Sequence, residues 1–374
     1  MATNPDVVII GGGLAGLASA IHLSKKGLQV TILEKSSYPQ HKVCGEYVSN
    51  EILPYLQWLD ADVLQLKPTN ITKFEFTTST GKITMAKLPL GGFGISRYAL
   101  DNFLYQKALA NGCTVIKDIV TTISFKNDAF TVTTSNLTLT SKIVLGAYGK
   151  RSNIDQILSR DFINKKSPWL AVKAHYSGNF PNNVVALHNF NGGYCGISKV
   201  ENNVINICYL ANYATFKKYK NIDDYQRNVL YKNKHLKAVL ENVTPLFNKP
   251  LTISQISFDK KLPVENHILM IGDTSGLIHP LCGNGMAIAL HSSKIAAELV
   301  HDYYHGKLSR QVLENKYTQQ WNKHFGKRLF MGRILAKLLS NKTVTSVLVT
   351  ITAALPALLS LIIKQTHGKP ITIN

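Results

Sequence analysis

The sequence predicts an α/β protein: a mostly parallel sheet assembled from separated segments, interrupted by an antiparallel β-rich insert and followed by helices. Three observations carry this. The apolar run Val7–Ile10 leads into Gly11, Gly13 and Gly16, then a helical stretch ending at Gly27, and a second apolar run, Val30–Leu33, delivers Glu34. Apolar strands return at Lys142–Leu145 and in HILMIGD, each running into a glycine-bearing loop. Between them, 169–210 is dense in β-formers, as in LAVKAHYSG and VINICYL. Parallel strands covered on both faces read as unbroken apolar runs, whereas half-buried antiparallel strands alternate.

The glycines are spaced GxGxxG between a strand and a helix, which is the context that gives this pattern meaning. Gly11 permits the tight turn, Gly13 lets backbone approach a pyrophosphate, and Gly16 lets helix and strand pack closely. Leu14 and Ala15 open the helix, whose free N–H groups attract an anion. Glu34, followed by Lys35, is placed to accept hydrogen bonds from a ribose 2′-hydroxyl, which favours FAD or NAD over NADP. Ala20 adds a small residue one turn on, and Gly27 suits a left-handed helix terminus.

Composition narrows the class. A chain of 374 residues holds one large or two medium domains, and 45% hydrophobic content does not suggest a polytopic membrane protein. MATNPD has no basic segment ahead of its apolar run, so no signal peptide is expected. Cys44, Cys113, Cys195, Cys208 and Cys282 are odd in number and form no metal-ligand pattern. Reduced thiols, a cytoplasmic setting and no metal follow as expectations. The net charge of +20 is compatible with nucleic acid, an anionic membrane, an acidic substrate or simply a lysine-rich surface. From His301 onward, 11 Lys and Arg face only Asp302 and Glu314, which points to a membrane surface and away from nucleic acid.

Taken in order, Lys42–Glu46 is a loop, and Ser49 or Asn50 caps a helix through Leu59. Residues 71–88 suit strands; a glycine loop follows, with Arg97 before a helix over 98–110 ended by Gly112. Short strands fill 114–140, and Lys142–Leu145 enters GAYGKRS. After the β-rich runs, charge patterning predicts helix over 222–246, then a strand over 251–258. SGLIHPLCGNG is a loop opening a long helix, 284–305, stopped by Gly306. Segments 1–70, 97–160 and 262–305 are expected to form a Rossmann-like nucleotide domain, 71–96 and 161–261 the inserted sheet, and 306–374 a helical tail.

GGGLAG with Glu34, GAYGKRS at 146–152 and IGDTSGLIHPLCGNG at 271–285 resemble, in this order, FAD-dependent oxidoreductases of the para-hydroxybenzoate hydroxylase fold, geranylgeranyl reductase-like branch. The resemblance implies non-covalent FAD. It sets Arg97 near the ribityl or pyrophosphate and Gly272-Asp273 on the ribityl chain. Pro280, Gly283, Asn284, Gly285 and Met286 would lie at the flavin ring, where a helix N-terminus stabilises negative charge. It also places Cys44-Gly45-Glu46 close to the ring, with Cys44 a redox or supporting residue or simply a small loop residue. His279 is a candidate proton donor or a loop histidine held by backbone contacts. Lys173, His175 and His188 line a pocket or face solvent. Two departures stand out: Tyr148-Gly149 replaces the family's Asp-Gly, and the family's GYxWxFP strand survives only as Gly193-Tyr194-Cys195-Gly196-Ile197-Ser198.

In the tail, Phe330, Met331, Ile334, Leu335, Leu338 and Leu339 recur at helical spacing beside Arg333 and Lys337, a basic amphipathic pattern. Residues 343–363 carry no charge, but Pro356 splits them into short helices that line a lipophilic pocket or rest on a membrane. The whole predicts a flavoenzyme, cytoplasmic or peripheral at the inner face of the membrane, acting on a lipophilic or aromatic small molecule by reduction or dehydrogenation, or else by monooxygenation of an aromatic or polyketide-like substrate. Since no second GxGxxG follows, NAD(P)H or an electron-donor protein serves as transient reductant.

Overall fold

The computed structural model describes residues 4–373. The first sheet has six strands in the order Val264–Glu265, Ile268–Met270, Ile143–Gly146, Val7–Ile10, Val30–Glu34, Thr114–Lys117. Val7–Ile10 lies at its centre, parallel to Val30–Glu34 on one side and to Ile143–Gly146 on the other. All four of its side chains are buried, which explains the unbroken apolar run. The chain moves from the central strand to one neighbour through a helix and returns much later to the other. That leaves a crevice at the carboxyl ends of the strands, where the order reverses.

The helices of more than ten residues are α1 (Leu14–Lys25), α2 (Arg97–Ala110), α3 (Gly285–Tyr304), α4 (Arg310–Trp321), α5 (Lys327–Ser340), α6 (Lys342–Ala354) and α7 (Pro356–Thr366). α1 and α3 pack side by side on this sheet, joined where Ser293 Oγ donates to Ala15 O at 2.8 Å. A small three-stranded sheet, Val120–Lys126, Ala129–Thr134 and Thr138–Ser141, covers the other face through Phe130 and Val132.

The second sheet has nine strands. Its path runs Val243–Pro245, Trp169–Gly178, Ile205–Asn212, Gly193–Lys199, Val184–Phe190, Thr69–Thr77, Ile83–Gly94, Tyr47–Ser49, with Leu251–Ser254 also pairing Trp169–Gly178. Tyr47–Ser49, grouped by sequence with the nucleotide-binding segment, is therefore an edge strand of this sheet. The expected glycine loop before Arg97 is also strand: Gly92 and Gly94 pair with Ser49 and Tyr47. A Cβ on Gly92 would meet Tyr47 at 2.5 Å, and one on Gly94 would meet Lys199 O at 1.8 Å. Close backbone approach, not flexibility, calls for glycine here.

The helix expected over 222–246 is broken into Ile222–Asn228, a turn, and Lys234–Leu240, and it ends in the strand Val243–Pro245. Asn233 makes the break. It caps the second piece, and its amide donates to Thr77 Oγ1, Thr78 O and Asn189 O, pinning the helix to the sheet. The tail breaks as its sequence suggests, between α6 and Pro356. Among the described residues no single helix is long and apolar enough to cross a membrane. One bent pair, Arg310–Ser340 with Thr343–Ala354, passes by length and composition, but its axis turns by 109°.

Candidate active site

The crevice at the strand ends opens into one cavity of about 680 Å³, within the ~300–1,000 Å³ typical of small-molecule sites. It runs from Gly11, Gly13, Glu34 and Lys35 past Arg97, Asp273 and Asn284 to an apolar end under the tail helices.

At the nucleotide end the backbone is shaped for a phosphate. Gly11 has φ +106°, and a Cβ there would meet Ala147 O at 2.4 Å. Gly16 does not line the cavity; its Cβ would meet Gly11 O at 2.0 Å, so its role is packing. Gly13 differs: it lines the cavity, and its nearest neighbour for a Cβ is Arg97 Nη2 at 3.6 Å. Gly13 is the N-cap of α1 and supplies no side-chain cap, which leaves the first N–H groups of the helix, those of Leu14 and Ala15 among them, for a ligand. Glu34 accepts from Gly12 N–H at 2.7 Å and Ser36 N–H at 3.0 Å, so its carboxylate is held in place by the loop it serves. Arg97 sits beside Gly13 and makes a two-point ion pair with buried Asp101, Nε–Oδ1 2.6 Å and Nη2–Oδ2 2.7 Å. Lys42 joins the same carboxylate at 3.1 Å.

In the middle, Gly272 takes φ +61°, and its N–H donates to Ser292 Oγ at 2.9 Å, which fixes Asp273 on the wall. Pro280 and Gly283–Met286 line the cavity at the N-terminus of α3. Asn284 donates to Thr366 O at 2.8 Å, while its Oδ1 is buried without a partner. The chemistry of this cradle fits FAD: N–H groups for the diphosphate, carboxylates for two sugar-like chains, and a helix N-terminus for the ring.

Opposite stands a buried charge cluster that sequence left undecided. Glu46 has φ +55°, and its carboxylate is buried. Oε1 accepts from Arg97 N–H and from Lys173 Nζ, both at 2.8 Å, and Oε2 lies 2.6 Å from His175 Nε2. Burial alone would raise its pKa, but the His175 hydrogen bond and the Lys173 charge hold it below the ordinary carboxylate value. Lys173 and His175 thus face inward, not to solvent. The sequence shows only that these two polar residues, at i and i+2 of one strand, share a face; it does not say that this face is the buried one. His41 stacks on Tyr98 and packs against His175. His41, Glu46 and His175 have metal-ligand spacing, but the Lys173 ammonium already pairs with the same carboxylate, and its charge opposes a second cation beside it.

Cys44 lines the cavity, and its Sγ accepts from Glu46 N–H at 3.5 Å. Asn206 donates to the carbonyls of Cys44 and Gly45, holding this loop against the sheet. His279 does not line the cavity, contrary to the proton-donor expectation. Its ring lies among Phe258, Tyr194 and Trp169, and burial lowers its pKa to about 4, so it is neutral near pH 7. His188 is likewise buried, on the far face of the sheet, 2.8 Å from Thr77 Oγ1. Tyr148 lines the cavity where the family has an acid, and Gly149 N–H donates to Thr274 Oγ1 at 2.9 Å.

The apolar end is formed by Phe74, Phe76, Val185 and Leu187 of the sheet and roofed by Leu335, Leu339, Val349, Leu359 and Ile363 of the tail. The tail's apolar pattern allows either a pocket wall or a surface contact; its inner face is pocket wall.

Fold and site define the class: the chain is an FAD-dependent oxidoreductase. Residues 6–43 match the family model described as FAD dependent oxidoreductase, and residues 206–353 match the one described as squalene epoxidase. Among curated relatives, the chain is similar to the digeranylgeranylglycerophospholipid reductase of Methanosarcina acetivorans, 26% identical over 354 residues, covering 88% of this chain and 83% of that one. It is also similar to the conditioned medium factor receptor 1 of Dictyostelium discoideum, 23% identical over 366 residues, covering 88% and 70%. Among solved structures, the flavin-dependent brominase Bmp2 superposes with a TM-score of 0.79 at 18% identity, covering 97% of this chain and 93% of that one, a likeness of fold alone.

Proposed function

We propose that this flavoenzyme reduces a double bond of a long, lipophilic, isoprenoid-like substrate. One observation carries the reading: the cradle that fits FAD and the apolar chamber under the tail are a single cavity. The relatives support it from outside, since both digeranylgeranylglycerophospholipid and squalene are isoprenoid lipids by name. FAD, when bound, supplies hydride transfer or oxygen activation at its ring.

The chain's own residues do the rest. Gly13 and the α1 N-terminus bind the diphosphate, Glu34 and Asp273 orient the two hydroxylated chains, and the α3 N-terminus favours negative charge at the ring. Phe74, Phe76, Leu187 and Leu359 exclude water and hold an alkene by apolar contact. Glu46, kept ionised by Lys173 and His175, acts as a positioning residue: it fixes the Cys44–Glu46 loop and the start of α2. Cys44 is the wall thiol from which a proton can reach a reduced alkene. Electrons arrive from NAD(P)H or a donor protein that binds transiently.

The test is to reduce the purified protein without oxygen and add isoprenoid alkenes. Reoxidation of the flavin by the alkene alone, with a saturated product, is the expected result. The squalene epoxidase match favours a second reading, oxygenation of the same class of substrate. A flavin that stays reduced until oxygen is admitted, with one oxygen atom then found in the product, would replace the first reading by the second.

A further inference from the structure

The tail helices are apolar on two sides, and only one side is accounted for. Leu335, Leu339, Leu348, Val349, Leu359 and Ile363 line the cavity. Along the outside of α6, Val347, Ile351 and, just past its end, Leu355 follow one another at i, i+4, i+8 and are 53%, 41% and 60% exposed. On α7, Leu358 and Leu361 are 37% and 54% exposed. Exposed aliphatic stripes of this density call for a partner. The outer face of α5 carries Phe330 and Leu338 together with exposed Lys327, Arg333 and Lys337; exposed Lys364 lies in the last turn of α7 and exposed Lys369 follows that helix. No acid occurs after Glu314. An apolar surface whose own helices carry only cations is complementary to an apolar phase bordered by anions.

We propose that the outer faces of α5, α6 and α7 form a docking surface for an anionic lipid bilayer, on which the protein lies without crossing it. The 109° turn before α6 and the split at Pro356 suit short helices lying in the interface. The same three helices roof the apolar end of the cavity, so a lipid-dissolved substrate has one layer of helices to pass. That route rests on the lipophilic-substrate reading; the docking does not.

The test uses full-length, FAD-loaded protein and vesicles of phosphatidylglycerol or phosphatidylcholine, with flavin absorbance reporting fold and cofactor. Phosphatidylglycerol vesicles sediment the protein, and raising salt from 50 to 500 mM releases it as the Debye length shrinks. Neutralising Arg333→Gln with Lys337→Gln weakens binding roughly thirtyfold, about fivefold per charge. Leu358→Glu with Leu361→Glu abolishes it, with the flavin spectrum of both variants unchanged. The proposal is overturned if wild type with intact flavin ignores phosphatidylglycerol, or if both variant pairs bind as wild type does. It also fails if the stripe instead holds a second copy, seen as a dimer that Leu358→Glu and Leu361→Glu dissociate while wild type ignores vesicles.

Discussion

At the scale of the residue, the three motif glycines separate folding from cofactor binding. Alanine at Gly11 or Gly16 drives a methyl into backbone oxygen at 2.4 or 2.0 Å, so both variants should misfold or lose much of their stability. Gly13 has ordinary room beside Arg97, and its missing side chain matters only to a ligand. Gly13→Val is therefore expected to fold with wild-type circular dichroism yet purify colourless. A yellow Gly13→Val protein with normal FAD content would refute the phosphate cradle. Glu46 shows the opposite logic, because its neighbours depend on its charge. Glu46→Gln leaves the Lys173 ammonium buried without a counter-charge and should cost about 3 kcal/mol in a denaturant titration. Adding Lys173→Met should recover part of that loss; strictly additive losses would mean the pair is not coupled.

At the scale of the element, the tail is built into the core on its inner side. Leu359 and Ile363 pack with Tyr47, Ile71, Ala86 and Leu88, and Thr366 O receives the Asn284 amide at the start of α3. Beyond α7, Ile371 N–H donates to Glu51 O at 2.8 Å, and Arg328 pairs with buried Glu51 at 3.0 Å. Cutting the chain at 327 would thus uncover the cavity and the α3 N-terminus, and loss of flavin is the expected outcome. Leu359→Ala is the milder probe. It should destabilise by about 2–3 kcal/mol and enlarge the apolar chamber, shifting preference toward bulkier alkenes. Unchanged stability together with unchanged substrate preference would place Leu359 outside the chamber.

At the scale of the whole molecule, burial of neutral histidines sets the response to acid. Burial, reinforced for His22 and His291 by nearby Lys and His charges, lowers both to about 3; His188 and His279 fall to about 4. Each stays unprotonated in the fold while the unfolded chain takes up protons near 6.5. Below that pH the unfolded state binds more protons, so stability present above 6.5 is lost as pH falls towards 4, about 1.4 kcal/mol per histidine for each pH unit. Thermal midpoints should hold between pH 7 and 8 and drop steeply from 6.5 to 5. A flat profile over that range would show that these imidazoles reach water.

The local part of this protein is legible in its sequence. The run from Val7 to Glu34 encodes strand, turn, helix and acid within one segment, because hydrogen bonding and glycine sterics over a few residues decide it. The tail's break at Pro356 is legible for the same reason, since proline cannot continue the hydrogen-bond ladder of a helix. Glu46, Lys173, His175 and Arg97 meet only in three dimensions. Arg97, Lys173 and His175 lie 51 to 129 positions from Glu46, and nothing in that spacing distinguishes a solvated lysine from one buried on a carboxylate. His279 shows the same limit in reverse. Its place beside the α3 loop suggested chemistry, and the aromatic side chains of Trp169, Tyr194 and Phe258 decided that its ring is packed instead. The tail's two faces were likewise left open by pattern alone. Apolar residues at helical spacing state that a face must be covered, and only packing against Tyr47, Phe74 and Leu88 determines which face that is.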